Sequence, residues 1–396
     1  MNLVFAVDGI FFKNSNGEIY SSNGNFTLRL WERYMKVFSS ILILARVKYI
    51  PDYVGDVLFL ANSDKVKFIE LPYYRGPKAF LIVRGQISRI MTSVVDEGNK
   101  ENVYLCRLPG TIGGMLINIL RRKRIPYGCE IVGDPWDVYS PTGIQHPLRP
   151  FLRYYFYFKL KAEVKNSDCT LYVTQNYLQN RYPSLKDKFQ ISVSDVLLPF
   201  SRIANESKIH SYKDTYNLIS IGSLSQMYKS PDIVIKTIYD LKIKGIKCIL
   251  KWLGDGKYRR DMELLSQKLN IQDQVLFLGN VTADEVIQEL RKSDIFVLVS
   301  RTEGLPRALI EAMAQGMPCI GSKVGGIPEL LDSTMLVRKN SVRELSDRIS
   351  QLILNPIVFN EQANNNLQKA MNFQDIFLEK KRISFYEELI RISKMK

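Results

Sequence analysis

The sequence predicts an α/β chain of two doubly wound domains, each built on a parallel sheet. Three observations predict it. Short apolar runs alternate with longer amphipathic ones along nearly all of the 396 residues, which is the pattern of βαβ units. The length suits two domains of ordinary size. A polar stretch near the middle, residues 201–216 (SRIANESKIHSYKDTY), lacks a periodic apolar face and reads as the join.

Bulk properties narrow the class. Hydrophobic residues make up 46% and charged residues 24%, a globular balance and not a disordered one. No apolar run approaches the roughly 18 residues that would cross a bilayer. Met1–Phe12 is apolar, but it lacks a basic leader and carries Asp8. It reads as a buried strand and not as a signal peptide. The five cysteines are scattered, with no pair at CxxC spacing; free thiols in a reducing compartment are expected, not a zinc site. The formal charge of +15 favours polyanions, whether nucleic acid, anionic lipid or phosphorylated substrates.

In the first half, strands are expected at Leu3–Val7, Ile41–Val47, Val57–Leu60, Phe80–Val83, Val103–Leu108, Cys129–Val132 and Thr170–Val173. Asn23-Gly24-Asn25 precedes a helix candidate, Phe26–Phe38. It is either an ordinary turn or a loop that brings a helix N-terminus towards an anion. Gly133–Tyr139 (GDPWDVY) follows the strand Cys129–Val132, so Asp134 and Asp137 fall at a strand's C-terminal edge, where ligands of open α/β sheets bind. Capping of a turn is the competing role.

Two basic stretches follow from the same half. Arg121–Arg124 ends the apolar run Met115–Leu120 and is expected to meet anionic lipid or phosphate. Residues 149–165 mix Arg149, Arg153, Lys159, Lys161 and Lys165 with Phe151, Tyr154, Tyr155, Phe156, Tyr157 and Phe158. That mixture suits a membrane interface, but the aromatic rings are expected to pack into the core while the cations stay solvated. Only two histidines exist, His146 and His210, so a Ser–His–Asp hydrolase has little to stand on; His146 reads as a helix cap.

In the second half, strands are expected at Asn217–Ile221, Cys248–Leu253, Val275–Leu278, Asp294–Val299, Pro318–Ser322 and Met335–Val337. The informative segment is Ser300–Leu331, SRTEGLPRALIEAMAQGMPCIGSKVGGIPELL. Glu303 and Gly304 stand just past a strand. Pro306 suits a first helical turn, and Gly316 with Pro318 suits its end. Gly304–Arg307 would then present backbone N–H groups to an anion such as a diphosphate. Glu303 and Glu311 beside such a site make sense as partners of sugar or ribose hydroxyls. Taken alone, they read equally as a loop cap and as a surface pair of Glu311 with Arg307.

This segment closely resembles the donor-site signature of glycosyltransferase family four, with two glutamates separated by seven residues and flanking EG, EAMA and VGGIPEL strings. Ile221-Gly222-Ser223-Leu224 followed by Lys229, Leu253-Gly254-Asp255-Gly256, and Val275–Val281 extend the likeness. The resemblance implies a GT-B architecture, two Rossmann-like domains facing across a cleft, and retaining transfer from a nucleotide sugar, UDP- or GDP-linked. It assigns Glu303 to the donor sugar, Glu311 to the ribose hydroxyls and Lys229 to the diphosphate. The amides of Gly304, Leu305, Pro306 and Arg307 would face the donor, with Gly222 and Ser223 beside the phosphates and Leu278 to Val281 beside the base. Gly24 would approach the phosphates from the other domain. In many relatives a histidine lies where Asp134 stands, which makes Asp134 the candidate for contact with sugar or acceptor. Ser223 stands where the family commonly has a phosphate-binding arginine; Arg301, Arg307 or a basic residue of the first domain is expected to replace it.

The resemblance further implies no cofactor and no metal, a saccharide or lipid-linked acceptor, and a cytoplasmic location at the inner face of the membrane. An anionic membrane surface is the candidate further partner, and nucleic acid is not expected. An epimerase of the same architecture and a basic membrane- or nucleic-acid-binding module are the rival readings. The expected domains are 1–200, a linker 201–216, a nucleotide-sugar domain 217–373 and a helix 374–396. That helix would use Ile376, Phe377, Ile383, Tyr386, Leu389 and Ile390 as its apolar positions and return to the first domain.

Overall fold

The computed structural model describes residues 1–22, 26–54, 59–98, 101–141 and 146–395. The first half contributes eight strands: β1 (Asn2–Lys13), β2 (Ile19–Ser21), β3 (Ser40–Tyr49), β4 (Val66–Leu71), β5 (Asn102–Leu108), β6 (Tyr127–Ile131), β7 (Cys169–Tyr172) and β8 (Phe189–Ser192). They form one sheet in the order β4-β3-β1-β5-β6-β7-β8, with β2 hairpinned antiparallel onto β1. The second half contributes β9 (Tyr216–Ile221), β10 (Cys248–Leu253), β11 (Val275–Gly279), β12 (Ile295–Leu298), β13 (Cys319–Ser322) and β14 (Leu336–Val337). Their order is β11-β10-β9-β12-β13-β14, all parallel. Each sheet reverses its strand order once, the arrangement that opens a ligand crevice at the C-terminal strand ends. This is the GT-B architecture of two Rossmann-like domains.

The apolar runs that read as strands are buried because parallel sheets are covered on both faces. β12 is buried at all four positions, as are β6 and β13 at all of theirs. All five cysteines are buried free thiols, and burial pushes the Cys106, Cys129 and Cys319 thiols well up.

One expected strand is a helix, one falls partly outside the described residues and two strands were not expected, each for a physical reason. Phe80–Val83 is not a strand but lies inside the helix Gly76–Asp96. Pro77 opens that helix, and Ile87, Met91 and Val95 bury one face at four-residue spacing. A four-residue apolar run carries no periodicity of its own. Of Val57–Leu60, the described Leu60 forms only an isolated bridge to Tyr20; residues 57 and 58 lie outside the described set. The edge strands β4 and β8 escape the apolar reading because both are half-exposed and carry polar residues such as Lys67, Glu70 and Gln190.

The helix Asp375–Met395 packs under β5, β6, β7 and β8 of the first sheet. Its buried face is Leu378, Arg382, Phe385, Tyr386 and Leu389. Ile376 and Phe377 are exposed, so the apolar stripe begins later than their hydrophobicity suggests. Residues 201–216 run along the second domain: the Ala204 amide donates to the Ala314 carbonyl and the Lys208 amide to the Gly316 carbonyl. The Lys208 ammonium donates to the carbonyls of Leu290, Arg291 and Ser293, and burial lowers its pKa to about 8. Among the described residues, no helix is long and apolar enough to cross a membrane.

Candidate functional site

The site is assembled at the C-terminal edge of the second sheet. β12 ends at Leu298, and the chain turns through Ser300 to Glu303 before the helix Arg307–Ala314. Pro306 sits at the N-cap with extended backbone, so the chain enters the helix without a side-chain cap and its first amides point outward. Gly316, at φ +60°, ends it.

Glu303 is nearly buried and held through one carboxylate oxygen. Ser300 Oγ donates to its Oε1 at 2.6 Å, and Lys229 Nζ donates to the same oxygen. Lys229 reaches it from a short 3₁₀ turn, Met227–Lys229, after β9. Gly222 makes this possible, since a Cβ there would lie 2.7 Å from Lys229 Cγ. Ser223 is exposed, donates to the Asp255 carbonyl and accepts from the Ser225 amide.

Arg301 does not face a phosphate position. It grips both Asp232 oxygens at 2.9 and 3.1 Å, the Asn340 side chain at 2.9 Å and the Met227 carbonyl. It clamps the turn that carries Lys229, and the expectation that it replaces the missing arginine is corrected accordingly.

Glu311 lies on the helix, half-buried, with no hydrogen bond from any described residue. Burial raises its pKa, and the positive charges of Arg307, Arg202 and Arg29 oppose that rise. Arg29 belongs to the first domain, in the helix Leu28–Met35, and is exposed. Positive charge from three segments, Arg307 of the same helix, Arg202 and Arg29, thus bears on this carboxyl. Gly24, four residues before the helix of Arg29 begins at residue 28, lies outside the described residues.

The two domains meet at this edge. A Cβ on Gly304 would stand 2.4 Å from the Val132 carbonyl of the first domain. Gly326 donates its amide to the Gly304 carbonyl at 2.7 Å and approaches Thr174. Glu329 accepts backbone N–H groups from Gln175, Asn176 and Tyr177 at 2.6, 2.9 and 2.6 Å. It caps a short helix of the other domain, a role its place in the VGGIPEL string did not signal. Leu305 sits in the same loop. Leu278 lies in β11 and Val281 just past its end, three strands across the sheet from β12, with Leu278 exposed and Val281 partly buried.

Asp134 is the clearest correction. Its side chain is completely buried. It accepts from the Trp136 amide at 2.9 Å and from the hydroxyls of Tyr177 at 2.6 Å and Tyr182 at 2.5 Å, and it pairs with Arg181. Its lone pairs are spent on holding two helices together, so it presents no carboxylate to a ligand. Asp137 shares Tyr177 and Arg181. His146 caps through Nδ1, which accepts the Leu148 amide at 3.1 Å. Among the described residues, no three His, Cys, Asp or Glu side chains are grouped to hold a metal.

Residues 201–371 match the family model described as glycosyl transferases group 1. Protein CapJ of Staphylococcus aureus is 28% identical over 372 residues, covering 92% of this chain and 91% of CapJ. Three solved structures share the fold. Sucrose-phosphate synthase from Thermosynechococcus elongatus has a TM-score of 0.75 at 14% identity, covering 99% of this chain and 100% of the other. HepE from Anabaena, in complex with UDP-glucose, has a TM-score of 0.65 at 14% identity, covering 97% and 98%. WaaG, a glycosyltransferase involved in lipopolysaccharide biosynthesis, has a TM-score of 0.65 at 15% identity, covering 96% and 98%.

Proposed function

We propose, on the match of residues 201–371 to the glycosyl transferases of group 1, that the chain carries out retaining, metal-independent transfer from a UDP- or GDP-linked sugar. The acceptor is a saccharide or lipid-linked saccharide of a cell-surface polysaccharide, used at the cytoplasmic face of the membrane. The carrying observation is the ion pair of Lys229 with Glu303 at the C-terminal edge of the second sheet, just before the helix Arg307–Ala314 that carries Glu311. The HepE complex with UDP-glucose and the role of WaaG in lipopolysaccharide biosynthesis support the donor and product classes.

The chemistry follows from the charges. The donor diphosphate lies against the N–H groups of Gly304, Leu305 and Arg307 and the Lys229 ammonium, which stabilise the negative charge that builds as the nucleoside diphosphate leaves. Lys229 then turns from Glu303 towards phosphate, and Glu303 is released to accept hydroxyl protons of the donor sugar. The ribose hydroxyls donate to Glu311, giving its buried carboxylate the hydrogen bonds it lacks. Arg29 supplies from the first domain the positive charge that Ser223 does not.

The test is thermal stabilisation by UDP, GDP, ADP and TDP and their common sugars, with EDTA present. A ligand at about 100 times its Kd should stabilise the fold by roughly 2.7 kcal/mol. One nucleotide family should do so, and Lys229→Ala and Glu311→Ala should each reduce the shift. No shift with any of them would sink the reading, and a shift abolished by EDTA would sink its metal independence.

A further inference from the structure

The helix Arg149–Lys165 leaves a continuous apolar stripe in solvent. Leu148, Phe151, Tyr154, Tyr155 and Phe158 recur at three- and four-residue spacing, and each is between 51% and 67% exposed. The core is served by the opposite face, through Leu160 and Val164. The expectation of inward packing is therefore overturned for Phe151, Tyr154, Tyr155 and Phe158, while Tyr157 does pack against the core. Large apolar side chains scattered singly on a surface need no explanation, but a contiguous row marks an interaction surface.

The surroundings are cationic. Residues 146–162 contain no aspartate or glutamate, while Arg149, Arg153, Lys159 and Lys161 are all present. Arg153 is pinned 3.9 Å over the Trp136 ring and donates to the Trp136 carbonyl at 2.8 Å. The helix Gly76–Asp96 belongs to the same layer. It leaves Leu81 and Ile82 exposed, with Lys78 and Arg84 beside them in sequence and no acidic residue from 72 to 95.

We propose that this face docks on an anionic lipid bilayer, with the rings of Phe151, Tyr154, Tyr155 and Phe158 entering the headgroup layer and the flanking cations meeting lipid phosphates. Three arguments select a bilayer over a second copy of the chain. Lys159 pairs with Glu163, but Arg149, Arg153 and Lys161 have no acidic partner among the described residues; two copies would set these cations against each other, whereas anionic lipid neutralises them. Tyrosine and phenylalanine with basic neighbours are the composition of an interfacial helix. Placement agrees: both helices follow parallel strands, so their first turns lie at the sheet's C-terminal edge, where Val132 meets Gly304. A docked bilayer would lie beside the mouth of the site. Arg121–Arg124 takes no part, because its helix runs away from that edge and ends on the far side, where Lys123 pairs with Asp96.

This surface deepens the reading of a membrane-located acceptor, and its test is independent of the donor site. The parent is sedimented with vesicles of phosphatidylcholine alone or mixed with phosphatidylglycerol, beside the triple variant Phe151→Ser, Tyr155→Ser, Phe158→Ser. The parent should bind the anionic vesicles, and the triple variant should bind roughly tenfold less or weaker still. An unchanged melting temperature and nucleotide response in the triple variant show that its fold and donor site survive. Phe158→Trp should bind like the parent, with added emission that moves to shorter wavelength on anionic vesicles. Absence of parental binding, or equal binding by the triple variant, overturns the proposal. So does a parental dimer in sedimentation equilibrium that the triple variant dissolves.

Discussion

Glu311 sits in the fold at a cost that its cationic neighbours only partly offset. Burial raises its pKa, so the folded state favours the protonated form. Its contribution to stability is complete below the ordinary glutamate range and is lost as pH rises through the raised folded value. Glu311→Gln is therefore expected to raise the melting temperature by a few degrees at mildly alkaline pH and to bring little change in acid. The same variant should weaken nucleotide binding by ~10-fold or more, because a charged acceptor of ribose hydroxyls is gone. Calorimetry across pH checks the first half, and titration with UDP or GDP checks the second. A gain in stability paired with a loss of affinity is the mark of a residue kept for its ligand.

At the level of loops and strands, Gly304 is where the two domains come closest. Gly304→Ala would drive a methyl into the Val132 carbonyl, and the neighbouring domain must give way. The expected outcome is a kcat about tenfold lower with a melting temperature near that of the parent, since the strain is relieved by parting the domains and not by unfolding either. Steady-state kinetics beside a thermal melt would decide it; unchanged kcat would refute the contact's role. The strands that carry the site were legible because β9, β10, β12 and β13 are short apolar runs in a covered parallel sheet. The edge strands β4 and β8 were not, since half their residues face water. Glu303, Glu311 and Lys229 stood out by spacing against a familiar string. The fate of Asp134 did not, because its partners Tyr177, Arg181 and Tyr182 come from beyond the next strand. Arg29 was equally invisible, since only the meeting of two domains brings it towards Glu311.

Across the whole molecule, a buried ionic core ties the first domain to the last helix. Arg107 pairs with Glu130 at 2.9 Å and with Asp195. Tyr34 donates to Glu130 at 2.9 Å and packs its ring at a tilt against Tyr386, while Arg382 donates to the Ser194 carbonyl. Arg107 holds Asp195 down at about 2, outweighing its burial. Removing residues 375–395 would uncover the first sheet and strand these charges. Hydrogen exchange on such a truncation is expected to show lost protection through β5 to β8, with the second domain still protected. Uniform loss in both domains would mean instead that they fold as one unit. The same helix has a consequence for biosynthesis. A ribosome delivers residues in order, and domains ordinarily complete themselves in that order. Here the half that emerges first lacks part of its underside until the helix Asp375–Met395, made after the second domain, has cleared the exit tunnel. The half made second can close earlier, so the nascent polypeptide matures from back to front.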